Sequence, residues 1–197
     1  MANIVALRSV SNSLIQFLAS SFPADNLGLQ SPVSFKLLSS ADLSDPNPSF
    51  GTAVALYLYR VSVNNHLRNT RPHHAPEGTT PLPLNLHYLL STWADGAETE
   101  QVLLAWAMRH LHEHPILDAS TLNTDADWAN DEIVHVAPEE LTNEDLLRLW
   151  ETLAPTYRLS YSYVARVVLV ESDVARPTAR VVATRFQYEN SSGRPGS

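Results

Sequence analysis

Hydrophobic positions along this chain fall into two periods, and each period marks a different kind of element. Over residues 81–93, Leu82, Leu84, Leu86, Tyr88 and Leu90 alternate with Pro83, Asn85, His87 and Leu89. That is the period-2 pattern of a strand with one buried face. Pro81 and Pro83 restrict ladder pairing at its entry, so the strand starts there or runs along an edge. Residues 52–63 form a second, longer strand, apolar on both faces as far as Tyr59 and therefore central in its sheet. Val33, Phe35 and Leu37 alternate in a short strand. Residues 157–170 are the longest strand candidate, with Tyr157, Leu159, Tyr161, Tyr163, Ala165, Val167 and Leu169 on one face. Fully extended they span roughly 45 Å at about 3.3 Å per residue, so this strand bends or projects beyond the sheet. Short strands at 132–136 and 180–188 complete the set.

Helical spacing occurs in three places. Asn3 is the expected N-cap of a helix running to about Ser20, with a stripe of Leu7, Val10, Leu14, Phe17 and Leu18. A second helix covers 97–113; Leu103, Leu104, Ala107, Met108 and Leu111 form its core stripe, and Val102 and Trp106 lie beyond the stripe's edge. Pro115 stops it. The third covers 141–153, with Thr142 as N-cap and Asp145 three positions on. Residues 118–131 are acidic and read as loop. Residues 66–80, HLRNTRPHHAPEGTT, are polar, proline-broken and aperiodic; a loop of that length in a compact domain is functional or disordered. The pattern predicts a single α+β domain over 1–189, a mixed or mostly antiparallel sheet packed with about three helices. The arm at 66–80 interrupts it, and a disordered tail at 190–197 follows.

Composition narrows the function classes. Apolar residues make up 44% of the 197, enough for a sizeable core, and there is no cysteine. Disulfides, thiolate catalysis and zinc–sulfur sites are thereby excluded. No apolar run reaches the length of a membrane span, and MANIVALRSV lacks the features of a secretory leader. The net charge of −8 is unevenly spread. Residues 95–151 carry 14 acids against Arg109 and Arg148, while 1–94 and 152–197 carry +1 and +3. Neither basic flank suffices to neutralise many phosphates, so nucleic acid is not an expected partner. The basic residues are nearly all arginine, which suits bidentate and partly desolvated pairing.

Candidate chemistry is sparse. His110 and His114 of HLHEH share a helix face with His112 pointing away, and with Glu113 they offer a partial ligand set. The helix dipole favours cations at a C-terminus and explains histidines there without a metal. There is no G-x-S-x-G elbow, and six glycines form no phosphate loop or dinucleotide fingerprint. His87 faces away from the leucines and reads as a satisfied polar residue at a sheet surface. No catalytic residue, cofactor or metal is expected.

Order and spacing carry the remaining signal. Arg60-Val61-Ser62-Val63-Asn64-Asn65, Leu67-Arg68-Asn69 and PLPLNLHYLL at 81–90 come first. Glu100-Gln101, the helix to His114-Pro115-Ile116-Leu117, LTNEDLLRLWETL at 141–153 and YRLSYSYVARVVLVES at 157–172 follow. Together they resemble the tail terminator, or cap, family of contractile injection systems of the virulence-cassette and antifeeding-prophage type. The resemblance spans about residues 4–188 and implies a structural protein, not an enzyme. It implies a hexameric ring that ends the inner tube and sheath, with a copy of itself, tube and sheath as partners. Neither nucleic acid nor direct membrane insertion is implied. The setting would be a phage tail-like particle assembled in the cytoplasm and then released or membrane-anchored. A six-fold ring needs two different patches that meet, and the charge asymmetry suits one. The expected interface residues are His66, Arg68, Arg71, His73 and His74 of the arm, with Arg158, Arg166, Arg180 and Arg185. The strands at 157–170 and 180–188 are the expected sheet edges for augmentation. The alternatives are a non-catalytic adaptor of another assembly and a histidine-dependent metalloenzyme.

Overall fold

The computed structural model describes residues 2–23, 27, 29, 31–67 and 81–170. The strand at 180–188, the tail at 190–197, and all of the arm except His66 and Leu67 lie outside them. The described residues build a six-stranded sheet whose spatial order is β1 (Ser34–Leu38), β2 (Ala53–Val63), β3 (Leu82–Trp93), β6 (Ser160–Val170), β5 (Val134–Glu139) and β4 (Ile116–Leu117). β1 and β2 are parallel and every other pair is antiparallel. Three helices accompany the sheet: α1 (Ala6–Ser21), α2 (Ala97–Glu113) and α3 (Asn143–Glu151). The α+β class, the mixed sheet and the three helices agree with the sequence pattern. No helix among the described residues is long and apolar enough to cross a membrane.

The period-2 residues of β3 explain one layer. Leu84, Leu86, Tyr88 and Leu90 join Val54 and Leu56 of β2 and Tyr163, Ala165 and Val168 of β6 in one buried cluster. Val10, Leu14 and Leu18 of α1 and Leu103, Trp106, Ala107 and Leu111 of α2 close it from above. Trp106, expected beyond the stripe, is buried, because Phe22 after α1 and Phe35 of β1 extend the core past the sheet's centre. The other face of β3 is buried too, which corrects the expectation of one buried face. Leu89 and Trp93 pack there with Ala53, Ala55, Leu38, Leu43 and Trp150. The parallel β1–β2 pair requires a crossover, and that crossover carries Leu43 beneath the sheet beside Trp150 of α3.

α1 begins two residues later than a cap at Asn3 would place it. Its N-cap is Val5, with no side-chain cap, and Asn3 Oδ1 instead accepts from Val5 N at 2.8 Å in a turn before the helix. The serines of α1 bind the acidic loop to the domain. Trp128 Nε1 donates to Ser9 Oγ at 2.8 Å, Ser9 Oγ to the Asn123 carbonyl at 2.9 Å, and Asn123 N to Ser13 Oγ at 2.7 Å. Residues 118–131 are therefore packed loop, with Leu122 and Ala126 in the core. The Tyr88 hydroxyl lies 2.8 Å from Ser11 Oγ, and burial pushes its pKa up despite that bond.

α3 is capped as expected. Thr142 Oγ1 accepts from Asp145 N at 3.1 Å and donates to Asp145 Oδ2 at 2.8 Å, with Glu144 and Asp145 in the first turn. Thr142→Ala is expected to cost about 1 kcal/mol in denaturant unfolding. A change below about 0.3 kcal/mol would show that α3 is held by its packing, through Trp150, Leu146 and Leu149, and not by its cap.

Candidate functional site

A cluster of buried and half-buried polar side chains under the sheet comes from four strands. Beyond the Trp93 end, the face opposite α1 and α2 carries Tyr59 and Ser62 of β2, His87 of β3, Glu139 of β5 and Ser162 of β6. Two irregularities bring them together. β2 holds an extra residue between Leu58 and Arg60 relative to β3, so Arg60, not Tyr59, is in register with His87. A bulge of this kind re-aims the side chains beyond it. β6 shifts between the partners of Leu84 and Leu86, so both Ala165 and Val168 reach the helix-side core and Arg166 is exposed.

His87 is the centre of the cluster and is 5% exposed. Its Nε2 lies 2.8 Å from Ser62 Oγ and its Nδ1 lies 2.7 Å from Glu139 Oε2. That carboxylate oxygen also accepts from the Tyr59 hydroxyl at 3.1 Å and from Ser162 Oγ at 3.3 Å, and these two hydroxyls lie 3.0 Å apart. Burial pushes Glu139 up, but the His87 hydrogen bond, the His87 charge and the two hydroxyls outweigh it and hold the carboxyl below its ordinary value. Burial also raises the Tyr59 hydroxyl.

Serine, imidazole and carboxylate in this order resemble a nucleophile–base–acid relay. The chemistry does not follow. Ser62 sits within β2 in register with Asn85, not on the sharp turn that lifts a nucleophile above its sheet. Surface clefts of about 350 to about 410 Å³ occur at Leu27–Val102, at Phe50–Trp93 and at Tyr59–Arg148, and neither Ser62 nor His87 lines them. The cluster cross-ties β2, β3, β5 and β6, and no catalytic site is evident among the described residues. Sequence reasoning placed His87 on the polar face but missed Ser62, Tyr59, Glu139 and Ser162. Regular alternation from Val54 and Leu56 would have turned Ser62 to the helix side, and the β2 bulge reverses it; Glu139 is joined only through the β5–β6 register.

Of the nine expected interface residues, Arg68, Arg71, His73, His74, Arg180 and Arg185 lie outside the described residues. His66 is exposed just after β2, and Arg166 is exposed on β6 in register with His135. Arg158 is engaged within the domain: its Nη1 lies 3.2 Å from Glu100 Oε1 and its guanidinium 5.0 Å from the Trp93 ring centroid. Arg158 lies at the Trp93 end of the sheet, and His66 and Arg166 lie toward the Leu84 end. The strand at 157–170 is no edge, because β6 lies between β3 and β5. Among the described residues the edges are β1 and the two-residue β4, and β1 pairs only with Ala53–Tyr57 of β2. Among the described residues, the rest of β2 has no strand on that side, and Val61 and Val63 there are more than 40% exposed.

At the end of α2, His110 and His114 share a face as expected, their ring centroids 4.6 Å apart. Burial and the neighbouring His114 hold His110 below the usual imidazole value.

The fold and its cross-tied interior define a structural α+β domain. The model of the Pvc16 N-terminal domain matches residues 9–184, and the chain belongs to that family, the tail terminator and cap family of its sequence resemblance. Two solved structures share the fold. The sheath/tube terminator of an extracellular contractile injection system, PVC, in its extended state aligns at a TM-score of 0.53 and 16% identity, over 95% of this chain and 65% of that one. The tube-terminating cap of the anti-feeding prophage aligns at 0.58 and 15% identity, over 91% of this chain and 60% of that one. The chain thus spans a little under two thirds of each. No curated protein sequence matches it.

Proposed function

We propose that this chain is a structural cap of a contractile injection system, closing the end of the inner tube and sheath as a ring of six subunits. The observation that carries the reading is the family match over residues 9–184, reinforced by two similar folds from a sheath/tube terminator and a tube-terminating cap. Among the described residues the later half of β2 has no strand on its outer side and Val61 and Val63 are exposed, which supports a role in which a neighbouring chain supplies contacts there. The charge asymmetry supports a heterologous ring, in which the acidic middle of one subunit meets the basic flank of the next. Tube, sheath and further copies of the chain are the proposed partners. The proposed setting is a phage tail-like particle assembled in the cytoplasm. The reading requires neither turnover nor a cofactor.

Electron microscopy and native mass spectrometry of the purified protein test the ring; particles of about six subunits are expected. A protein that stays monomeric at high concentration would overturn it. Deletion of the gene tests the capping role separately. Over-long or unstable tubes and sheaths are expected, and particles of normal length without the protein would refute it.

A further inference from the structure

We propose that His110, Glu113 and His114 form a binding site for a divalent first-row transition ion, with zinc as its simplest occupant. The inference goes beyond the cap reading and does not rest on it. The three residues stand at i, i+3 and i+4 where α2 ends, so they share one face. One ligand atom from each lies within 4.8 Å of the other two. Bonds of about 2.0–2.2 Å to zinc need ligand atoms about 3–3.5 Å apart. Rotation of the exposed Glu113 and His114 closes that difference.

Two details prepare the imidazoles. His114 Nδ1 lies 3.1 Å from the His110 carbonyl oxygen, which can only accept. Nδ1 therefore carries the proton and Nε2 presents its lone pair, the arrangement by which a backbone carbonyl orients a metal-bound histidine. The His110 ring is held by the parallel Trp106 ring, 5.6 Å away at 7°, and by Phe17, 4.6 Å away at 29°. Its Nε2 is buried and has no hydrogen-bond partner among the described residues. A buried imidazole nitrogen without a partner calls for an ion or a water.

The surroundings favour a cation. The negative end of the α2 dipole lies at these residues, and Glu113 adds a carboxylate. Arg109 Nε, 3.7 Å from Glu113 Oε1, is the competing charge, but that pair is exposed and therefore weak. Two imidazoles and one carboxylate select zinc, cobalt, nickel or copper over calcium and magnesium, which prefer all-oxygen sites. Three protein ligands leave at least one coordination position for water or an incoming group.

The test is calorimetric titration of zinc chloride into the full, untagged chain after chelator treatment. One ion per chain is expected. His114→Ala and Glu113→Gln are each expected to weaken binding at least tenfold while leaving the circular dichroism unchanged. A His73→Ala/His74→Ala double variant is expected to bind as the parent does. Cobalt(II) should give visible bands that His114→Ala abolishes. Absence of binding, or binding that survives His114→Ala undiminished, would overturn the site. An equal response to calcium chloride would also overturn it, by showing ordinary attraction to acidic surface.

Discussion

Trp106→Ala is expected to remove about 3–5 kcal/mol of folding stability, a large share of what a domain of this size possesses. The indole is 6% exposed and sits where three elements meet. Phe22, just after α1, meets it edge-on at 4.9 Å and 89°, and Phe35 of β1 meets it at 5.9 Å and 71°. Such pairs add about 0.5–1.5 kcal/mol each beyond the area they bury. The loss should fall hardest on β1, because Phe35 is an anchor of this edge strand to the helix layer. Denaturant midpoints at unchanged slope give the number. Trp106→Phe should recover a substantial part of it, since a ring still fills the centre. A Trp106→Ala loss under about 1 kcal/mol would mean that the neighbouring rings collapse freely into the gap, so that the cluster is not the rigid joint its geometry indicates.

Glu139→Gln is expected to cost about 2 kcal/mol near neutral pH and to flatten the acid side of the stability profile. The carboxylate accepts from Tyr59 and Ser162 and contacts His87, and its pKa is depressed on folding. A depressed carboxyl contributes stability that is complete above its unfolded value, near 4.5, and is lost as pH falls through the lower folded value. The parent protein should therefore lose stability over that acid window more steeply than the glutamine variant. The figure is kept small because the Glu139 side chain is 23% exposed and solvent screens part of the interaction. Urea unfolding from about pH 3 to about pH 7 makes the comparison. Identical acid slopes in the two proteins would show that the cluster does not hold the carboxylate.

Elements that bury a regular face were legible in the sequence. The leucine alternation of β3, the two-faced apolar run of β2, the α2 boundaries and the Thr142 cap all appear where periodicity placed them. Local periodicity fails where a neighbour decides. Trp106 fell outside its helix's stripe, yet Phe22 and Phe35 cover it from elements far away in sequence. The alternation of β6 holds to Ala165 and then breaks, because one extra residue turns Val168 and not Val167 inward. β5 runs Val134–Glu139, past the point at which its apolar pattern ends, because its last residues pair with β6 down to Glu139↔Ser162. The polar cluster was illegible for the same reason: its five members are assembled by register and bulges, and only His87 stood out. The family resemblance rested on the order of many weak patterns, and that order is what the family match over residues 9–184 reads as well.

The register also fixes where chain leaves the sheet. Val63 is in register with Leu84, Leu82 with Val170, and Val170 with Ala2. Neighbouring strands lie about 4.8 Å apart and residues about 3.3 Å apart along a strand, so the exits from β2 and β6 and the entry to β3 lie within about 12 Å of one another. Groups carried close to these roots are held at an effective concentration near the millimolar range, which falls as the chain between root and group lengthens. A partner that grips one of them meets the others without a second diffusional search, and the opposite end of the sheet, at Ala53 and Trp93, gains nothing from that tethering.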